Sequence, residues 1–99
     1  MMTNEQYLLG KLAEEASELA QIAIKAQQFG LEEVFGGQDL PLSNKDRVQS
    51  ELNDVLGIVM MLNEDCRAGI NQDESAWVSK RLKVGHYRAY AGSLGNVEL

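Results

Sequence analysis

Apolar residues recur at the three- and four-residue spacing of an amphipathic helix in three long segments of the chain. The first segment opens with Thr3 and Asn4, either of which can cap a helix, and Gln6 stands three residues after Thr3 as in a capping box. Gly30 follows Phe29, the last residue of the pattern, and is a typical C-cap. The pattern therefore predicts a first helix from about residue 4 to Phe29.

The second and third segments carry similar start and stop signals. Ser43 or Asn44 opens the second helix, and Gly69 is expected to end it. Asp73 is a suitable N-cap for a third helix, which we expect to run from residue 74 to about Ala91. No segment alternates between apolar and polar residues with the period of two that is typical of a strand.

The remaining stretches predict a loop, a short turn and a tail. Residues 35–43 hold two adjacent glycines and the only proline, Pro41, and are expected to form a loop. Leu31–Phe35 is expected to add one helical turn before it, and Gly92 and Gly95 to fray the chain from about residue 92. We therefore predict one all-α domain over residues 1–99, with three long helices in an up-down bundle that oligomerisation completes to four.

Composition and charge narrow the class of protein. The apolar share is 44% and the charged share 24%, both typical of a globular domain. One cysteine, Cys66, excludes an internal disulfide and favours a reducing compartment, so we expect a cytoplasmic protein. No apolar run approaches the roughly 20 residues that span a bilayer. The net charge of −6 argues against unaided nucleic-acid binding, and it divides into −8 for residues 1–73 and +2 for residues 74–99.

Carboxylates three residues apart occur in the same phase on the first two helices. On the wheel of the first helix, Glu15 lies at about 60° and Glu18 at about 0°. Glu51 and Asp54 take the same two positions on the second helix. Each pair lies at the edge of an apolar stripe, so the four carboxylates converge if the helices pack along these stripes.

Converging carboxylates require a counter-charge or a shared proton. Oxygen-only ligands favour Mg²⁺, or Mn²⁺ in its place, over zinc or copper. Because Mg²⁺ commonly takes its remaining ligands from substrate phosphates, the four carboxylates indicate a polyphosphate or phosphate-ester site. A plain alternative is that these glutamates form a solvated helix face.

The third helix carries the opposite charge. Lys80, Lys83, Tyr87 and Tyr90 share one face, which suits a nucleotide, with lysines near phosphates and a ring against a base or sugar. The alternative is that these lysines lie along an apolar surface while the tyrosines pack at a helix interface.

These motifs resemble a known family, the MazG-like all-α nucleoside triphosphate pyrophosphohydrolases. Glu15-Ala-Ser-Glu18 looks like the first acidic motif of that family, and Glu51-Leu-Asn-Asp54 looks like the second. Lys80–Tyr87 is similar to its basic C-terminal segment, so the resemblance covers roughly residues 5–90. Two features depart from the family pattern: the 32 residues between Glu18 and Glu51 make a long connection, and the asparagine that often follows the lysines is missing.

The resemblance implies Mg²⁺-dependent hydrolysis of a nucleoside or deoxynucleoside triphosphate to the monophosphate and pyrophosphate. It implies a homodimer or homotetramer in which neighbouring chains complete a four-helix bundle. Carried over by position, it assigns metal binding and catalysis to Glu15, Glu18, Glu51 and Asp54, and substrate binding to Lys80, Lys83 and Tyr87.

Two other classes of protein compete with this interpretation. A non-catalytic dimerisation or adaptor module would use the acidic face to bind a basic partner. A di-iron carboxylate bundle needs paired Glu-x-x-His motifs, and the one histidine, His86, follows a lysine at that spacing, which argues against this class.

Overall fold

A computed structural model of the chain describes residues 1–34 and 41–98. Three helices account for most of these residues: α1 (Asn4–Phe29), α2 (Asn44–Cys66) and α3 (Glu74–Ser93). The described ranges contain no strand beyond one isolated bridge between Val34 and Ser43. The all-α prediction is confirmed, whereas most of the predicted 35–43 loop lies outside the described residues.

Helix α1 begins and ends where the sequence predicts. The Thr3 hydroxyl accepts a hydrogen bond from the Gln6 N–H, and the Gln6 side chain accepts one from the Thr3 N–H, so both halves of the capping box form. Gly30 follows with φ +96°, a conformation that side chains other than glycine rarely adopt, and its N–H donates to the Ala26 carbonyl. The capping residues next to α1 therefore determine where the helix begins and where it ends.

The predicted helical turn at Leu31–Phe35 is wrong for residues 31–34, because contacts with the start of α2 hold this segment in a different conformation. Asn44, the first residue of α2, is fully buried; its N–H donates to the Glu33 carbonyl and its side-chain amide to the Gly30 carbonyl. These long-range bonds hold the segment in a turn against the start of α2. Phe35 itself lies outside the described residues.

Helix α2 ends at Cys66, three residues before the predicted stop at Gly69. Arg67 adopts the left-handed conformation, with φ 54° and ψ 40°, and its N–H caps the last turn by donating to the Asn63 carbonyl. The Asn63 side chain then exchanges two hydrogen bonds with the backbone of Ile70, at 2.7 and 2.8 Å. These two hydrogen bonds turn the chain away from the helix axis before Gly69.

Helix α3 is capped as predicted but runs further. The Asp73 carboxylate accepts hydrogen bonds from the backbone and hydroxyl of Ser75. The helix ends at Ser93, two residues beyond the expected end at Ala91, and Gly92 continues it instead of fraying. The Asn96 N–H returns to the Ala91 carbonyl at 2.9 Å and closes the last turn.

The core lies between α1 and α2, which pack antiparallel along their length. Leu8, Ile22 and Leu62 are buried, with 2%, 8% and 0% of their surfaces exposed. At one end of the pair, the Asn4 side-chain amide lies 3.8 Å from the Cys66 sulfur as a hydrogen-bond donor. This contact joins the start of α1 to the end of α2, in the same antiparallel register that brings the carboxylates together.

Helix α3 contacts neither α1 nor α2. The radius of gyration is 17.1 Å, against about 12.6 Å for a compact chain of this length. The accessible surface is 7935 Å², against about 5,600 Å² for a compact monomer of this mass. A single chain therefore forms a helical hairpin with a projecting third helix, and bundle completion by oligomerisation stays a prediction. None of the described helices is long and apolar enough to cross a membrane.

Candidate metal centre

Three of the four predicted carboxylates meet where α1 and α2 face each other. Glu15 and Glu18 lie one turn apart on α1, and Glu51 lies opposite them on α2. One carboxylate oxygen from each residue lies within 4.8 Å of the other two. The antiparallel register of the hairpin therefore brings two distant segments of the sequence into one cluster.

The buried face of each helix is centred closer to these carboxylates than the sequence suggests. The buried residues Leu8, Ile22 and Leu62 lie at about 40–80° on their helix wheels, and Glu15 and Glu51 lie at about 60°. Leu52, on the far side of the predicted apolar stripe, is 45% exposed. The placement of Glu15 and Glu51 at the edge of the stripe is thus wrong: they lie within the helix interface.

Two oxygens of the cluster are buried and have no hydrogen-bond partner in the part of the chain that the structure describes. They are Oε2 of Glu15 and Oε2 of Glu51, and both residues are half-buried, whereas Glu18 is exposed. A buried carboxylate oxygen without a donor is unfavourable, because it has lost water and gained nothing in return. A cation bound between the helices would satisfy both oxygens.

Burial and like charge make two of these groups hard to ionise in the absence of a cation. Desolvation, with the neighbouring Glu18 as the next cause, raises the pKa of Glu15 from 4.5 to about 7. Desolvation and the charge of Glu18 also raise the pKa of Glu51. Desolvation is the larger cause of both pKa shifts and the neighbouring carboxylates add to it, so a bound divalent cation would favour the ionised form of both residues.

Asp54, the fourth predicted ligand, is exposed and lies outside the three-oxygen cluster. It is close enough for its charge to raise the pKa of both Glu15 and Glu51. It lines a groove of about 460 Å³ together with Glu15, Ile58 and Met61. Asp54 therefore borders the cluster from the side of this groove.

Glu14, the neighbour of Glu15, behaves as a surface residue. Its carboxylate pairs with the Lys11 ammonium at 3.2 Å, and about half of its side chain is exposed. The two adjacent glutamates thus separate into one on the solvent face and one in the helix interface. Glu14 provides a matched control for substitutions in the cluster.

The donor set fits a hard divalent cation. Three carboxylates supply oxygen ligands only, one of them from an exposed side chain that leaves room for water and substrate. Mg²⁺ and Mn²⁺ match this chemistry better than zinc or copper, which favour nitrogen and sulfur ligands. Glu15, Glu18 and Glu51 are the residues that would hold the ion, with Asp54 beside them.

A cavity of about 250 Å³ adjoins the cluster on the side of the α1–α2 connection. Glu18 and Glu51 line it together with two cationic residues, Lys25 and Arg47, that sequence reasoning missed. The sequence did hold a signal for them: Arg47 lies at about 20° and Lys25 at about 340° on their helix wheels, close to the phase of Glu18.

Lys80, Lys83 and Tyr87 lie apart from the cluster in this chain. All three are exposed on α3, which packs on neither of the carboxylate-bearing helices. The predicted shared face of α3 exists, because the helix is continuous through these positions. Within one chain, however, it has no access to the carboxylates.

Comparison of the chain with known protein families, with characterised proteins and with solved structures gives no significant match.

Proposed function

We propose that the protein is a Mg²⁺-dependent pyrophosphohydrolase of nucleoside or deoxynucleoside triphosphates. The observation that carries the proposal is the cluster of Glu15, Glu18 and Glu51, whose oxygens lie within 4.8 Å of one another. Its two buried, unpartnered oxygens favour a cation over a merely solvated acidic face. The resemblance of both acidic motifs to those of MazG-like enzymes supports the same reaction.

In the proposed reaction, a water oxygen attacks the α-phosphorus, and the bond to the bridging oxygen of the β-phosphate breaks. The products are the monophosphate and pyrophosphate. When bound, Mg²⁺ neutralises charge on the triphosphate and on the leaving pyrophosphate. Glu15, Glu18 and Glu51 would hold the ion, and a carboxylate oxygen of these residues or of Asp54 that is not bound to it would take the proton of the attacking water.

We further propose that a second copy of the chain completes the site. Lys80, Lys83 and Tyr87 would reach the carboxylates from the α3 of a neighbouring chain. Three observations favour this: α3 contacts neither of the other two described helices, the chain exposes about 2,300 Å² more surface than a compact monomer, and its two parts carry opposite charge. An excess of this size is comparable with the area that stable dimers bury.

The test is pyrophosphate release from a panel of the eight common NTPs and dNTPs, with Mg²⁺ and with EDTA. We expect release from one or more of them that requires the metal. Glu51→Gln is expected to lower the rate by roughly 100-fold or more, since it removes a ligand charge and a buried oxygen. Glu14→Gln, which removes an equal charge on the solvent face, is expected to keep most of the rate.

The opposite result would favour the adaptor module. Absence of release from folded protein across the panel, with both Mg²⁺ and Mn²⁺, would overturn the hydrolase proposal for these substrates. Equal losses in Glu14→Gln and Glu51→Gln would also contradict it, because the effect would then follow surface charge and not the cluster.

A further inference from the structure

The cavity beside the carboxylate cluster is built for an anion as well as for a cation. Its walls combine the carboxylates of Glu18 and Glu51 with the cationic side chains of Lys25 and Arg47. Ser50 and Gln21 add neutral hydrogen-bonding groups. At about 250 Å³ the cavity is smaller than the pocket of a whole nucleotide-sized ligand, so it suits one part of such a ligand.

Arg47 lines this cavity and has no side-chain partner among the described residues. It is half-buried, its Nε atom is shielded from water, and that atom has no hydrogen-bond acceptor. Glu51 lies one turn further along α2, yet among the described residues Arg47 forms no ion pair within 4.0 Å. A guanidinium stays charged at every physiological pH, and a buried N–H donor without an acceptor is unfavourable, so the binding of an acceptor here would stabilise it.

We propose that this cavity binds the pyrophosphate portion of the substrate, with Arg47 and Lys25 as phosphate ligands. A planar guanidinium donates two parallel hydrogen bonds to phosphate oxygens, and the ammonium of Lys25 adds a second positive charge. Glu18 and Glu51 belong both to the cavity wall and to the metal cluster. A diphosphate in the cavity is therefore placed beside the ion that the cluster holds.

This assignment rests on the proposed function for its substrate, and it differs from that proposal in its residues. It places the phosphate contacts on α1 and α2 of the same chain, whereas Lys80 and Lys83 lie on α3. The cavity is complete in one chain. Anion binding there therefore does not need a second copy.

The test is calorimetric titration of inorganic pyrophosphate into the protein with Mg²⁺ present. We expect Arg47→Gln to weaken binding roughly 10- to 100-fold, the loss that follows removal of charge-assisted hydrogen bonds. Lys25→Gln should weaken it in the same direction. The control is Lys45→Gln on α2, an exposed residue outside the cavity, which should stay within about two-fold.

Circular dichroism of each variant separates loss of binding from loss of fold. If Arg47→Gln unfolds, Arg47→Lys retains the charge without the paired donors and is expected to bind pyrophosphate several-fold more weakly. Unchanged pyrophosphate affinity in both Arg47→Lys and Lys25→Gln, or no pyrophosphate binding by the wild-type protein, would overturn the assignment.

The nucleotide panel keeps this inference separate from the proposed function. Pyrophosphate binding that is lost in Arg47→Gln, without hydrolysis of any nucleotide, would support the anion site and refute the hydrolase. Metal-dependent hydrolysis with pyrophosphate affinity equal in wild type, Arg47→Gln and Lys25→Gln would support the hydrolase and refute the anion site.

Discussion

Glu51 brings a negative charge into a helix interface that already holds Glu15. Its Oε2 atom is buried without a partner, and the charge of Glu18 adds to the repulsion. Without a cation, this residue opposes packing of α1 on α2. The same oxygens become favourable once a divalent ion lies between them.

We therefore predict that Glu51→Gln removes metal binding without lowering the stability of the metal-free protein. In EDTA its melting temperature should equal or exceed that of wild type, because the substitution removes a buried negative charge and keeps the shape of the side chain. The stabilisation by added Mg²⁺ should be lost. Thermal denaturation followed by circular dichroism measures both effects. A variant that melts well below wild type in EDTA would instead assign Glu51 a structural role.

The raised pKa of Glu15 predicts how stability depends on pH. Because the pKa is about 7 in the folded chain and 4.5 in the reference state, the folded protein holds this proton more tightly than the unfolded one. The contribution is complete below about pH 4.5 and is lost as the pH rises through about 7.

The melting temperature in EDTA is therefore expected to fall between about pH 5 and about pH 8. Glu15→Gln should flatten this slope, and Glu14→Gln should leave it unchanged. Saturating Mg²⁺ should oppose the fall, since the ion competes with protons for the same oxygens. A slope that Glu15→Gln leaves unaltered would show that other groups cause it.

The positions of Glu15, Glu18 and Glu51 on their helix wheels were enough to predict that they belong to the site, because a helix determines which of its side chains share a face. It missed Arg47 and Lys25, although their phases lie close to that of Glu18. Phase does not fix the register of two helices, and register decides which residues lie level with the carboxylates. Here the structure shows the register directly, with Asn4 at the start of α1 in contact with Cys66 at the end of α2.

At the scale of elements, side-chain caps hold the helices in place, and two of them offer a matched comparison. The Ser43 hydroxyl caps α2, which carries Glu51, while the Asp73 carboxylate caps α3, which carries no carboxylate of the cluster. Loss of either cap is expected to destabilise its helix by about 1 kcal/mol. The consequences for Mg²⁺ binding by the carboxylate cluster should differ.

We predict that Ser43→Ala lowers the melting temperature by about 4–8 °C and weakens Mg²⁺ binding, because it loosens the start of α2. Asp73→Ala should reduce helical content and leave Mg²⁺ affinity within about two-fold. Circular dichroism and calorimetric Mg²⁺ titration of both variants make the comparison. Equal loss of Mg²⁺ affinity in both would contradict the independence of α3 from the cluster.

Helix ends could be predicted wherever the signal was local. The capping box of α1 and its terminal Gly30 fixed both ends, and Ser43 fixed the start of α2. The end of α2 could not be predicted, since it depends on hydrogen bonds between the Asn63 side chain and the backbone of Ile70. The turn after Gly30 likewise depends on the distant Asn44.

At the scale of the whole molecule, the main feature is the separation of α3 from the other helices. Trp77 and Val84 lie two turns apart on one face of α3 and are 56% and 50% exposed. The sequence predicts an apolar face for this helix but not which surface covers it. The connection of residues 67–73 directs α3 away from the hairpin, and sequence periodicity carries no information on that direction.

We predict that the protein self-associates through this face of α3. Val84→Glu introduces a charge on it and should shift the protein towards the monomer, because burial of the new carboxylate is unfavourable. Ala89→Glu places the same charge on an exposed side of the helix that faces away from both the apolar face and the Lys80–Tyr87 face, and it should leave the association unchanged. Sedimentation velocity at tens of micromolar protein distinguishes the species. A monomeric wild-type protein at that concentration would contradict the prediction.

The proposed hydrolysis requires that Glu15, Glu18 and Glu51 bind a divalent cation. The most direct measurement is calorimetric titration of Mg²⁺ into metal-free wild-type protein, Glu51→Gln and Glu14→Gln. We predict saturable binding by wild type and Glu14→Gln, and its loss in Glu51→Gln. Indistinguishable Mg²⁺ titrations of wild type and Glu51→Gln would contradict the metal centre and every conclusion that depends on it.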